Sequence, residues 1–177
     1  MQAPTHFLVG ILIEKSAQKI ETPGLRRILI ILTGVISHGI LDKLARLTYH
    51  PPDALIKDWF WVVYHLSIAF LSIYILRKYW GKYKFGIVSA ILPDFDWIVA
   101  HPARLMGLDI PFWQQPLHNF VYNLLEAIPF FNLLNSLPNW TLERKGVVLE
   151  LVLLGLIFVS LSPKRLLYPI KRRQPAP

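Results

Sequence analysis

Apolar residues in this chain fall into six segments separated by short polar or proline-bearing stretches. The first, 5–20, is brief and carries Glu14 and Lys15. Crossing a bilayer unaided takes about 20 apolar residues, so this segment is expected to pack on the others. The second, 25–47, reads LRRILIILTGVISHGILDKLARL and is long enough. The third, 58–80, has Trp59 and Trp61 at one end and Tyr79 and Trp80 at the other, the placing of two interfacial aromatic belts. The fourth, 85–100, breaks at Pro93, because proline disfavours helical geometry at Leu92. The fifth, about 113–135, has a kink or an end at Pro129, and the sixth, 146–161, is apolar but short and contains Glu150. The pattern predicts an all-α fold, a polytopic membrane helical bundle with four to six helical segments. A single domain is expected over 1–165, followed by a basic, flexible tail over 166–177.

Composition strengthens the membrane reading. The chain of 177 residues is 54% hydrophobic and only 17% charged, against about 25% charged in soluble domains. The start, MQAPTHFLVG, has no basic stretch before its apolar run, so the first segment is expected to stay in the mature protein. The net charge of +8 comes from clusters between apolar segments, such as Arg26-Arg27, Arg77-Lys78 and Arg144-Lys145. Such clusters read as anchors against anionic lipid headgroups rather than as a nucleic-acid surface. Cysteine is absent, which leaves imidazole and carboxylate as the strong metal ligands.

Alternating the segments across a membrane sorts the polar residues. His6, His38, Asp42, His50, His65, Asp94, Asp96, His101 and His118 all fall toward one face. Lys15, Lys19, Arg26, Arg27, Arg77, Lys78, Lys82, Lys84, Arg144 and Lys145 fall on the other, and the tail then returns to the histidine face if the sixth segment spans. Ionisable groups at membrane depth are costly and are functional candidates by default.

Spacing adds chemistry. In SHGILD, His38 and Asp42 share one helix face, which suits two ligands of one metal or a histidine oriented by a carboxylate. In PDFD, Asp94 and Asp96 would diverge on a regular helix at about 100° per residue. A turn or helix start after Pro93 would let both converge on a cation, and both acids could instead simply favour a helix N-terminus. His118, Tyr122 and Glu126 form a polar stripe that should face protein or a water-filled cavity. His65 is either a satisfied core histidine or a general base, and Glu150 is at least as well suited to interhelical hydrogen bonding as to catalysis.

These short motifs resemble the bacterial family of integral-membrane, metal-dependent hydrolases of the YdjM type. THFLVG supplies His6, LPDFDW supplies Asp94 and Asp96, and SHGILD supplies His38 and Asp42. PLHNF supplies His118 in place of an HRGxTHS-like motif, with Asn119 where a small hydroxyl residue is expected, and SHGILD precedes PDFD rather than following it. The resemblance implies residence in a bacterial inner (plasma) membrane. It also implies hydrolysis of a phosphoester or lipid-like ester near the interface. His6, His38, Asp42, Asp94, Asp96 and His118 would hold one or two divalent ions, with zinc, manganese or iron fitting mixed nitrogen and oxygen ligands. Asp94, Asp96 or His65 would be the general base. The alternative is a non-catalytic membrane scaffold or assembly factor whose polar or metal cluster holds helices together. Membrane lipids are the expected partners in both cases.

Overall fold

The computed structural model describes residues 1–51, 55–108 and 115–162; the predicted tail, 166–177, lies outside them. Among the described residues there are seven helices and no strand, one more helix than the upper expectation. They are α1 (Ala3–Ala17), α2 (Pro23–Leu44), α3 (Trp59–Ile91), α4 (Phe95–Leu105), α5 (Pro116–Glu126), α6 (Pro129–Asn132) and α7 (Gly146–Leu161). Prolines set several starts: Pro4, Pro23, Pro116 and Pro129 each lie in a helix's first two positions, where a missing N–H costs nothing. Asp58 starts α3 by accepting from the Phe60 N–H at 2.9 Å. A 3-10 turn, Leu92–Asp94, separates α3 from α4 at Pro93, at the predicted break.

Helix α3 is two arms joined at Tyr83. Tyr83 has non-helical φ −131° and ψ 32°. An unbroken helix would hold Tyr64 and Asp94 about 45 Å apart. Yet the neighbours Thr5 and His6 reach the surroundings of both. Thr5 Oγ1 donates to Glu150 Oε1 at 2.8 Å, and Tyr64 OH donates to Glu150 Oε2 at 3.5 Å. His6 Nε2 lies 3.3 Å from Asp42, whose partner His38 lies 3.3 Å from Asp94. The chain therefore folds back at Tyr83, and the third and fourth apolar segments are antiparallel.

At the fold-back end, Glu14 Oε2 accepts from the Gly86 N–H at 2.7 Å, and Lys15 Nζ donates to the Leu161 carbonyl at 2.7 Å. Arg26, Arg27 and Phe85 share a cavity there with Glu14. This is the basic end of the bundle. At the other end lie the C-terminus of α2, the start of α3, the 92–96 turn, α5 and the start of α7. A core of Phe7, Leu8, Ile11, Ile75, Ile87 and Leu154 fills the space between. Helices α2 and α3 are long and apolar enough to cross a membrane. Outward apolar residues such as Leu32, Phe70 and Ile73 stud both. Helix α7 is apolar but shorter.

The fifth apolar segment does not cross the bundle. It is divided into α5, α6 and a 3-10 turn, Leu133–Ser136, and stays at one end: Asn135 meets Lys43 and Arg46, and the His50 N–H donates to the Thr141 carbonyl at 2.9 Å. This corrects the predicted alternation. Arg144 lies beside Asp58 at 3.1 Å, on the histidine end and not with Lys15 and Arg26, and Lys145 adjoins it. Helix α7 then ends beside Lys15, at the basic end, which is opposite to the expected course of the chain into its tail.

Helices α1 and α3 touch backbone to backbone. A Cβ added to Gly86 would sit 2.1 Å from the Gly10 carbonyl oxygen, and one on Gly10 would sit 2.3 Å from that of Gly86. No side chain fits without separating the helices. Gly86→Leu is expected to destabilise the fold by about 3 kcal/mol or more, beyond ordinary overpacking, and to lower the thermal unfolding midpoint in detergent. Exposed Gly155, with nothing near its Cβ position, should tolerate the same change.

Candidate metal centre

The site begins with the pair predicted on α2. His38 Nε2 lies 2.9 Å from Asp42 Oδ2, because residues four apart share a helix face. The His38 ring is buried and its Nδ1 is 2.8 Å from the Ala90 carbonyl oxygen. Ala90 is in the last turn of α3, where carbonyls lack a helical partner. A carbonyl only accepts, so Nδ1 carries the proton. In the neutral ring Nε2 is then a lone pair, and it faces two carboxylates, Asp42 at 2.9 Å and Asp94 at 3.3 Å. A backbone carbonyl behind one imidazole nitrogen is the usual second-shell support of a histidine ligand.

The acids of PDFD divide between two tasks. Asp94, in the 3-10 turn, projects into the cluster. Asp96, fully buried in the first turn of α4, accepts from the Leu117 N–H at 2.9 Å and the His118 N–H at 3.1 Å. It caps the N-terminus of α5 from another helix and so fixes His118 rather than joining Asp94, as expected, in the ligand set. The His118 Nε2 comes within 4.0 Å of Asp42 Oδ2. Val121 and Leu125, on the same inward side of α5 as His118, pack against Gly39.

Ligand atoms of His38, Asp42, Asp94 and His118 all lie within 4.8 Å of one another. Two imidazoles and two carboxylates could hold one divalent ion and match the nitrogen–oxygen preference of zinc, manganese or iron. His6 flanks this set. Its ring centroid is 4.4 Å from that of His38, and its Nε2 is 3.3 Å from Asp42 Oδ1. Its buried Nδ1 has no hydrogen-bond partner among the described residues. The Met1 amine also lies 3.2 Å from Asp42 Oδ1, so Asp42 is the carboxylate on which most groups converge.

His65 is held apart. Its Nδ1 is 2.8 Å from the Trp61 carbonyl and its ring stacks on the Trp61 indole at 4.0 Å, the satisfied arrangement weighed for it above. Glu150 is an interhelical tie, accepting from the Gln2 N–H at 3.0 Å and from Thr5. Lys43 was not singled out by the sequence. It is fully buried, with Nζ 3.0 Å from Asn135 Oδ1, 3.7 Å from Glu126 Oε1 and 4.6 Å from the Tyr122 ring centroid. Nothing in LDKLARL distinguishes it from a solvated helix-end lysine.

The cluster opens into a cavity of about 500 Å³ whose lining includes Asp42, Asp94, His118, Tyr122, Gln115 and His50. Desolvation at this mouth, reinforced by the positive N-terminal amine, pushes the His50 imidazole below its ordinary pKa. No family model, curated protein or solved structure matches the chain.

Asp96→Ala removes a cap shared by two backbone N–H groups. A loss of about 0.5–2 kcal/mol is expected, read as a lower unfolding midpoint. Metal affinity should fall less than in His38→Ala, because His118 is loosened rather than deleted.

Proposed function

We propose that the protein is a membrane-embedded, metal-dependent hydrolase acting on a phosphoester or lipid-like ester near the interface, with His38, Asp42, Asp94 and His118 as the metal ligands. The observation that carries this reading is the His38 tautomer. The Ala90 carbonyl leaves Nε2 as a base directed between two carboxylates, a donor arrangement suited to a cation. A divalent ion bound there would lower the pKa of a coordinated water and polarise a substrate oxygen. Asp94, with its side chain 37% exposed, is the more open acid and borders the cavity. It is placed to take a proton from water, a role the capping Asp96 and the Trp61-bound His65 are not placed to fill. His6, buried on α1, lies against Asp42 with Nε2 3.3 Å from Oδ1.

The setting we propose is a polytopic bundle in a bacterial plasma membrane, the bacterial source resting on the resemblance to the YdjM-type hydrolases. The outward apolar residues of α2, α3 and α7 would meet lipid. The amphipathic helices α4 and α5 would lie at the interface, with Phe95, Ile98, Phe120 and Leu124 outward. An excess of lysine and arginine marks the cytoplasmic side, which puts the basic end in the cytoplasm and the metal site on the opposite side.

One observation favours the scaffold reading. Distances of 2.9 and 3.3 Å from His38 Nε2 to two carboxylates also suit a protonated imidazolium bridging Asp42 and Asp94. Elemental analysis of purified protein separates the two. Near-stoichiometric metal in wild type, lost from both His38→Ala and Asp94→Ala while they remain folded, is expected. Folded wild type that takes up no zinc, manganese or iron would leave the cluster as a helix tie.

Orientation is tested with single cysteines, since the natural chain has none. A membrane-impermeant maleimide added outside intact cells is expected to label Lys57→Cys and to spare Arg27→Cys. Equal labelling of both would refute opposite sides.

A further inference from the structure

The mouth of the cavity carries hydrogen-bond chemistry outside the ligand set. Gln2 Nε2 lies 3.4 Å from the Tyr49 carbonyl oxygen and 3.1 Å from His50 Nδ1. A carbonyl oxygen only accepts, so the end of the Gln2 amide that faces it is the NH2 group, with two hydrogens to give. That NH2 therefore donates to His50 as well, and Nδ1 is the unprotonated ring nitrogen. His50 is held neutral, with its one proton on Nε2. Both partners are anchored: the Gln2 N–H donates to buried Glu150 at 3.0 Å, and the His50 N–H donates to the Thr141 carbonyl at 2.9 Å.

His50, Gln115 and Tyr122 line the same cavity as Asp42, Asp94 and His118. Part of the lining is thus carboxylate and imidazole; beside Met1, Ala45 and Pro51, the remainder offers an imidazole N–H, an amide and a phenol. A carboxylic ester presents one carbonyl oxygen on which charge develops. A phosphoryl group presents at least two non-bridging oxygens in tetrahedral array, so one can turn to the metal while another needs a donor away from it. A neutral N–H supplies that donor without adding a further cation to the ion and the Met1 amine beside Asp42.

We infer that His50, held by Gln2 in its Nε2–H form, donates to a non-bridging oxygen of a bound phosphoryl group, which makes the substrate a phosphoester rather than a carboxylic ester. The inference rests on the hydrolase reading for its substrate, but the tautomer stands on the Gln2 contacts alone.

The test is nitrogen NMR of histidine-labelled protein in micelles, first metal-free, then loaded with zinc and titrated with inorganic phosphate. Metal-free wild type should show His50 protonated at Nε2, and Gln2→Glu, which sets an acceptor against Nδ1, should move the proton there. Phosphate should shift the His50 Nε2 signal in the loaded protein. His50→Phe should bind phosphate about tenfold or more weakly, the scale of a hydrogen bond to a charged group, with zinc content unchanged. His50→Gln, which keeps an N–H donor, should recover part of the loss. A proton on Nδ1 in wild type would overturn the inference at its base. The expected tautomer with phosphate affinity equal in wild type and His50→Phe would overturn the phosphoryl role and leave the metal reading standing. Failure of wild type to take up zinc, manganese or iron would overturn the hydrolase reading and the phosphoryl role together.

Discussion

A carboxylate removed from water must be met by donors or a cation, and Asp42 sets that demand for the site end of this bundle. It stands near the end of a long apolar helix, and its two oxygens are approached from three directions: by His38 on its own helix, by His6 from α1 and by His118 from α5. The contacts from His6 and His118 require that α1 lie against α2 and that α5 turn inward; only the His38 contact is made within α2. The Gly10–Gly86 contact, Glu150 holding Gln2 and Thr5, and Asp96 holding α5 serve that convergence. Each ties one approach in place through contacts other than those among the side chains of the cluster.

The same constraint explains why neighbouring acids differ. Asp94 and Asp96 are two residues apart, but the 3-10 turn after Pro93 hands over to α4 between them. Asp94 ends the turn and faces His38. Asp96 enters a helix and meets the exposed N–H groups at the start of α5, where a negative charge also complements the helix dipole. One acid thus contributes charge to the cluster, while the other fixes the backbone that carries a ligand.

What the sequence made legible was local. His38 and Asp42 are four apart on one helix, Pro93 and Pro129 break the apolar runs in which they stand, and 146–161 is bounded by polar stretches; each feature needs only neighbours to be read, and each appears where expected. The stripe of His118 and Tyr122 was also readable, since an inward polar face needs only helical period. The task of Asp96 was not, because its partners are 21 and 22 residues away. Lys43 stayed hidden for the same reason, as Asn135 and Glu126 lie on other elements. His65 misled in the opposite sense: proximity to one end of the bundle did not distinguish a ring aimed at the cluster from one engaged by Trp61.

The largest departure, the course of 113–135, has a physical cause in its own pattern. Its apolar residues suffice for a span when summed, but they do not surround the helix. Val121 and Leu125 point inward with Tyr122 and His118, while Leu117, Phe120 and Leu124 point outward, and Pro129 ends the run. A crossing helix needs apolar contact on every lipid-facing side; this one has a polar inner stripe and a single outer apolar face, which suits lying at the end of the bundle. Because it does not cross, one crossing is removed from the count and α7 begins where α2 ends. Its close therefore falls beside Lys15, at the end that also holds Arg26, Arg27 and the Tyr83 fold-back, away from Asp42, Asp94 and Asp96. The placing of Arg144 at the site end and of the α7 end beside Lys15 follows from the failure of one amphipathic segment to span, which a tally of apolar residues does not reveal.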